Sequence, residues 1–267
     1  MDPTPPRPRK RFGQNFLHDP AVIERIVAEL SISSETALLE IGPGRGALTR
    51  ALLEHANKVV CVEIDRDLVR HLRDTFPASR LHVIEDDALE IDFDRLGRQV
   101  HGRSVGWTVA GNLPYNISKP IAMRLVESVE SIERAVLMFQ REVARRLCAA
   151  PGGADYGPLS VLPRAVYEIE RVMDVAPGAF RPRPEVVSTL TRWSAREERP
   201  SANELARLRA TLKAAFSNRR KTLKNNVRRA LGSDDVLGQA GLDGARRAQE
   251  LSREEFHALA AEWPKVR

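Results

Sequence analysis

Leu38-Leu39-Glu40-Ile41-Gly42-Pro43-Gly44-Arg45-Gly46 decides how the rest of the chain is read. The apolar run Ala37–Ile41 has the character of a strand, and Ala47–His55 carries the spacing of a helix. Between them, glycines at alternate positions let the backbone turn sharply and pass close to a ligand. An acid, Glu63, closes the next strand, Val59–Ile64, 21 residues after Gly42. That spacing suits a carboxylate that accepts hydrogen bonds from ribose hydroxyls. The loop alone leaves three readings open. It fits S-adenosylmethionine, it fits a nicotinamide or flavin dinucleotide through Gly42-x-Gly44-x-x-Ala47, and it fits a structural turn. Glu40 ahead of three alternate glycines, and Asp86-Asp87-Ala88 after the third strand, favour the first, with Asp87 able to bond the adenine amine of a bound cofactor.

Outward from this loop, strand-like and helical runs alternate. Arg66–Thr75 reads as a helix, Leu81–Glu85 and Thr108–Ala110 as strands, Ile117–Ser128 as a helix, Ala135–Phe139 as a strand and Glu142–Ala150 as a helix. This order predicts an open, mostly parallel sheet covered by helices, closed by two later strands at Tyr167–Val175 and Val186–Trp193. Ser194–Ser201 has the composition of a linker, and short helices follow at 204–216, 221–231 and 253–263. The expected division is an N-terminal arm and cofactor-capping segment over 1–35, a catalytic domain over 36–197 and a helical domain over 198–267. The proline-rich residues 1–9 are expected to form a flexible arm.

Composition narrows the class. With 42% hydrophobic residues the chain can bury a core. No apolar run approaches the ~18 residues of a membrane helix, and the N-terminus lacks the apolar centre of a signal peptide. A cytoplasmic protein without a membrane partner is expected. Cys61 and Cys148 form no CxxC, so neither a disulfide framework nor a metal site is expected, and Cys61 reads as core. Residues 201–267 hold 14 Lys/Arg against 8 Asp/Glu, which accounts for the whole net charge of +6. A neutral body with a basic appendage suits a polyanion. Arg219, Arg220, Lys221, Lys224, Arg228 and Arg229 lie within eleven residues that contain no acid, and Arg7, Arg9, Lys10 and Arg11 offer a second contact. If helical, Arg220 and Lys224 share a face, as do Lys221, Lys224 and Arg228. The alternative is a solvated helix face.

Gly111-Asn112-Leu113-Pro114-Tyr115-Asn116-Ile117-Ser118 follows the fourth strand, at the sheet edge where ligands bind. An exocyclic amine on adenine is a poor nucleophile because its lone pair is delocalised into the ring. The Asn112 carboxamide oxygen and the Leu113 carbonyl can each accept one of its N–H groups and favour the pyramidal, attacking form. Pro114 stiffens the loop, and Tyr115 offers a flat face for the base. Outside this context the same residues make an Asn-Pro turn with a buried tyrosine.

With these residues in place, the sequence resembles the KsgA-type 16S rRNA adenine dimethyltransferases, which share ancestry with the Erm-type 23S rRNA methyltransferases. The resemblance runs from about Arg9 to the C-terminal helices. It rests on Phe12–Leu17, Glu40–Gly44, Glu63–Asp65, Gly111–Ser118, Phe139–Val143, Tyr156–Val161, Ala179–Pro182 and Asn218–Asn226. It implies a Rossmann-like class I methyltransferase fold, a mostly parallel seven-stranded sheet followed by a small all-helical domain. It also implies S-adenosylmethionine as cofactor, bound by Asn15, Leu17, Gly42, Glu63, Asp87 and Asn112, and Phe180 as a second wall of the adenine slot opposite Tyr115. By itself Phe180 reads as core, with Pro177, Pro182 and Pro184 stiffening its loop. The implied activity is dimethylation of N6 on two adjacent adenosines in the 3′-terminal hairpin loop of 16S rRNA, on the nearly complete small ribosomal subunit, by a monomer. An Erm-type enzyme acting on large-subunit rRNA, and a non-catalytic assembly or transcription factor, are the alternatives.

Overall fold

The computed structural model describes Pro6, Pro8, Arg9 and residues 13–265. Arg7, Lys10, Arg11 and Phe12 lie outside the described residues. The first regular elements are β1 (Phe16–Leu17) and α1 (Pro20–Leu30). Asp19 caps α1 by accepting from the Ala21 and Val22 amides, and Pro20 presets φ where no helical amide is needed. Strand and helix then alternate through β2 (Ala37–Ile41), α2 (Ala47–His55), β3 (Val59–Glu63), α3 (Arg66–Thr75), β4 (Leu81–Glu85), α4 (Phe93–His101), β5 (Trp107–Asn112), α5 (Ser118–Glu127), β6 (Ile132–Gln140) and α6 (Arg141–Leu147). After α7 (Pro158–Val166) come β7 (Tyr167–Val175), β8 (Phe180–Arg181) and β9 (Ser188–Ala195), then α8 (Ala202–Ala215), α9 (Leu223–Leu231), α10 (Asp235–Gln239) and α11 (Arg253–Ala261).

Seven strands form one sheet in the order β4-β3-β2-β5-β6-β9-β7. Strands β2 to β6 run parallel and β9 is antiparallel to β6, which bears out the expected mostly parallel α/β sheet. Every residue of β2 and β3 is buried, as strands covered on both faces require, and Cys61 is core. β1 and β8 pair separately, Leu17 opposite Phe180. Helix α1, expected within an arm, buries Val22, Ile26 and Leu30 in the same core as Leu38, Leu52, Val59 and Met138. It is part of the sheet-bearing unit.

The chain divides differently from a single cut near residue 197. One compact unit runs to Ala144 and resumes over Glu168–Ala195; the other joins Arg145–Tyr167 to Arg196 onward. Helix α7, expected inside the catalytic domain, packs on α8 instead, and Arg196 N–H bonds the Val166 carbonyl at 2.9 Å. A contiguous reading cannot represent a segment that leaves one unit and returns. In this second unit, Ser201 with Glu204 and Ser252 with Glu255 form capping boxes at the starts of α8 and α11. Phe216 stacks on Phe256 at 5.6 Å between ring centres. Among the described residues no helix is long and apolar enough to cross a membrane.

Candidate active site

The sheet order reverses between β2 and β5: β3 and β4 extend one way, β6 the other. Loops leaving the carboxyl ends of β2 and β5 therefore diverge and open a crevice. A cavity of about 270 Å³ lies there. It is lined by Gly42 after β2, Glu63 at the end of β3, Asp87 after β4 and Asn112 at the end of β5, with Asn15 and Leu17 from the N-terminal segment. All six expected cofactor residues meet in one place, and Leu113, Pro114 and Tyr115 join them.

The glycine loop owes its shape to left-handed backbone. Gly42 has φ +68° and Gly44 φ +58°. The Gly42 N–H donates to Val62 O at 3.0 Å, and the Gly44 N–H to Glu63 Oε2 at 3.2 Å. A Cβ on Gly44 would lie 2.8 Å from the Phe16 ring. Glu63 Oε1 accepts from the Asp65 N–H at 3.0 Å. Burial pushes the Glu63 carboxyl above the usual range, and the Asp65 and Gly44 amides oppose the shift. Glu40, left without a role by the sequence, is 2% exposed and also lines the cavity. Burial pushes its pKa up to about 8, against the 2.6 Å bond from Thr49 Oγ1 and with a smaller push from Glu63. Asp87 Oδ1 accepts from the Leu89 amide at 2.9 Å, which holds the turn after β4.

The loop after β5 is tied across the cavity. Asn112 Nδ2 donates to Asn15 O at 2.8 Å. A carbonyl oxygen only accepts, so the amide nitrogen must face Asn15 and Oδ1 is left for another donor. Leu113 is buried and its side chain carries no polar atom, so the one acceptor it can offer is its backbone carbonyl. Ile117 N–H bonds Pro114 O at 3.1 Å, and Ser118 Oγ donates to Tyr115 O at 3.0 Å. Half-buried Tyr115 places its hydroxyl 2.8 Å from Ser188 Oγ.

Phe180 departs from the expectation. It is 2% exposed, packs among Leu17, Val175 and Ala179 in the core, and is not in the cavity lining. Its pairing with Leu17 across β8 and β1 holds it there, so it does not form a wall facing Tyr115 in this structure. The lining also includes Gln14, Phe16, Arg45 and Ile64. All four lie inside the motifs quoted from the sequence, Arg45 in the glycine loop, Gln14 and Phe16 in Phe12–Leu17 and Ile64 beside Glu63, but nothing in their spacing assigns them a contact.

Residues 6–265 match the sequence profile of the family described as ribosomal RNA adenine dimethylase. The chain belongs to the ribosomal RNA adenine dimethylase family. Ribosomal RNA small subunit methyltransferase A of Pseudomonas syringae pv. tomato is 42% identical over 258 residues, covering 95% of this chain and 94% of that protein. The same-named protein of Bordetella bronchiseptica is 43% identical over 258 residues, covering 94% and 92%. Among solved structures, a dimethyladenosine transferase from Plasmodium falciparum superposes with a TM-score of 0.76 at 26% identity, covering 91% of this chain and 95% of that one. The 23S rRNA methyltransferase ErmE gives 0.69 at 26%, covering 94% and 100%.

As a ribosomal RNA adenine dimethylase, the chain is an enzyme that uses S-adenosylmethionine, which settles the choice between cofactors. The residues fit that molecule. Its sulfonium and ammonium are positive, and the cavity wall presents the carboxyls of Glu63, Asp86 and Asp87. The glycines at 42 and 44 leave room for close backbone approach.

The basic segment of this dimethylase divides in two. Arg219 is exposed, yet its guanidinium is spent inside the second unit. It donates to Tyr156 O at 2.8 Å and Ala154 O at 3.0 Å and lies 5.9 Å from the Phe216 ring centre. Arg228 pairs with Asp234 at 2.5 Å and Lys224 with the same carboxylate at 3.5 Å. Arg220, Lys221 and Arg229 are exposed and, among the described residues, pair with no acid. Thr222 caps α9, so Arg220 and Lys221 sit in the turn before the helix and do not share the helical faces expected for them. The 3.6-residue spacing holds only from Leu223 onward.

Proposed function

We propose that this enzyme dimethylates N6 of two adjacent adenosines in the 3′-terminal hairpin loop of 16S rRNA, in the cytoplasm, on the nearly complete small ribosomal subunit. The observation that carries the reading is the Asn112 amide, held by Asn15 O at a cavity that also gathers Gly42, Glu63 and Asp87. The amide donates away from the substrate and keeps its oxygen for the incoming amine. The Asn112 Oδ1 and the Leu113 carbonyl each take one N–H of the adenine amine, which localises its lone pair. Bound S-adenosylmethionine would supply the methyl group to that nitrogen and would take up the electrons of the carbon–sulfur bond. The methylated nitrogen then sheds a proton to solvent, so no strong general base is needed. Tyr115 stacks on the base, an interaction worth roughly 1–3 kcal/mol. Gly42, Glu63 and Asp87 hold the cofactor, with Asn15 and Leu17 closing over it.

Arg220, Lys221 and Arg229 supply phosphate contacts that set affinity and register, while loop nucleotides unstack at least cost. The small-subunit target is supported by relatives of that name at 42–43% identity, against 26% to ErmE. The test is incubation of the purified enzyme and cofactor with unmethylated small subunits and, separately, with large subunits, followed by mass spectrometry of rRNA fragments. Dimethyladenosine pairs in the 16S 3′ fragment are expected. Methylation confined to 23S rRNA would overturn the assignment.

A further inference from the structure

The Tyr115 ring is held at both ends. Ser118 Oγ donates to its backbone carbonyl at 3.0 Å, and its phenol oxygen lies 2.8 Å from Ser188 Oγ. Ser188 opens β9 and is fully buried. The sheet fixes its backbone: it stands opposite Gln140 of β6, and the neighbouring Val187 carbonyl accepts from the Arg141 N–H at 3.0 Å. A buried hydroxyl that loses its partner is penalised, so the serine and the phenol hold each other. The tyrosine tip is thereby anchored to a strand paired along its length with β6, 73 residues away in sequence. A pre-set ring loses less freedom when a base stacks on it and keeps the base in line with the methyl group.

We propose that Ser188 is a positioning residue of the reaction, its buried hydroxyl setting the depth and tilt of the Tyr115 ring on which the target adenine stacks. This rests on the stacking role given to Tyr115 above. It adds that the angle of that ring is set from β9 as well as by the loop after β5.

The test is steady-state methylation of small subunits by Ser188→Ala, Tyr115→Phe, the double variant, Ser188→Thr and Tyr115→Ala, with cofactor affinity measured for each. Ser188→Ala is expected to lower kcat about fivefold to tenfold and leave cofactor Kd unchanged. Tyr115→Phe should lose a similar factor, the double variant should be no worse than either single one, and Ser188→Thr should recover most of the rate. With three tyrosines in the chain, the 13C resonance of the Tyr115 Cζ can be assigned by Tyr115→Phe. In Ser188→Ala it should move while those of Tyr156 and Tyr167 stay. If Ser188→Ala fails to fold, Tyr115→Phe breaks the same pair from the other side and must show the kcat loss. Wild-type kcat in Ser188→Ala or Tyr115→Phe, beside an inactive Tyr115→Ala, overturns the positioning role and leaves stacking intact. Full activity in Tyr115→Ala removes the stacking reading and this inference with it.

Discussion

Replacing Asn112 by aspartate exchanges one amide for a carboxylate of the same shape and reverses its fit to Asn15. In the native protein Asn112 Nδ2 donates to Asn15 O at 2.8 Å. A carboxylate oxygen at that distance from a carbonyl has no proton to give, so the bond is lost and two acceptors face each other. An unpaired, partly buried acceptor costs about 1–3 kcal/mol. At about 2–4 °C per kcal/mol for a chain of this size, Asn112→Asp should lower Tm by roughly 2–12 °C at pH 8. The deficit should shrink as pH falls. The new carboxyl is favoured neutral in the fold, because only then can it donate to Asn15. The native state therefore holds its proton more tightly than the unfolded chain, and the recovered stability is lost as pH rises through the folded pKa. Single-turnover methylation should fall in parallel, and Asn112→Ala, which removes the acceptor, should fall about 100- to 1000-fold, as when one oriented polar contact to a transition state is deleted. Scanning calorimetry from pH 5 to 8 and quench-flow on small subunits provide the two readouts. Wild-type Tm at pH 8 together with an unchanged single-turnover rate would refute the clamp.

Other contacts give sharper contrasts. Gly44→Ala should lose cofactor affinity by at least tenfold in calorimetric titration, because its new Cβ must displace the Phe16 ring from the cavity wall, whereas Gly42→Ala meets only Pro114 Cδ at 3.9 Å and should cost mainly the left-handed backbone strain of about 1–2 kcal/mol. Glu40→Gln should be more stable than the native protein, by a margin that grows with pH. The Glu40 pKa is raised from 4.5 to about 8 by burial, so the folded state keeps a proton that the unfolded chain releases, and native stability declines between those values. Urea denaturation at pH 5, 6, 7 and 8 checks this, and a margin independent of pH would count against it. Arg219→Ala should lower the Tm of the helical unit, while charge reversal at Arg220, Lys221 and Arg229 should raise the KM for subunits several-fold and leave Tm and cofactor Kd alone. Thermal scans and KM measurements on the two variants separate a structural arginine from docking ones.

Much of the sheet-bearing unit was legible. The helix over Arg66–Thr75 and the strands over Leu81–Glu85 and Tyr167–Val175 stand where periodicity places them, because each carries an uninterrupted local pattern. Helix α4 went unread although Asp92 caps its start and Gly102, at φ +71°, ends it. Its buried face is short, Phe93, Leu96 and Gly97, and Asp94, Arg95 and Arg98 dilute the apolar period. Helix α7 was hidden by Pro163 within it, a residue that normally argues against a helix. At the site, the cofactor residues were readable because each ends a parallel strand or follows one. Glu40 was seen as part of the glycine pattern, but neither its burial nor its raised pKa could be read from its neighbours in sequence.

What the amino-acid order determined by itself is local: left-handed turns only glycine adopts cheaply, strands apolar throughout, caps at helix starts, and an Asn-Leu-Pro-Tyr loop after the fourth such strand. These depend on φ/ψ preference and short-range spacing, which a linear chain displays directly. Tertiary structure alone decided which way the Asn112 amide points, through a residue 97 positions away, and what steadies Tyr115. It also drew Phe180 into the core and tied Arg219 to the carbonyls of Ala154 and Tyr156. Hydrogen bonds are directional and short, so they exist only where donor and acceptor are brought to about 3 Å of each other, and that placement is set by the packing of the whole core.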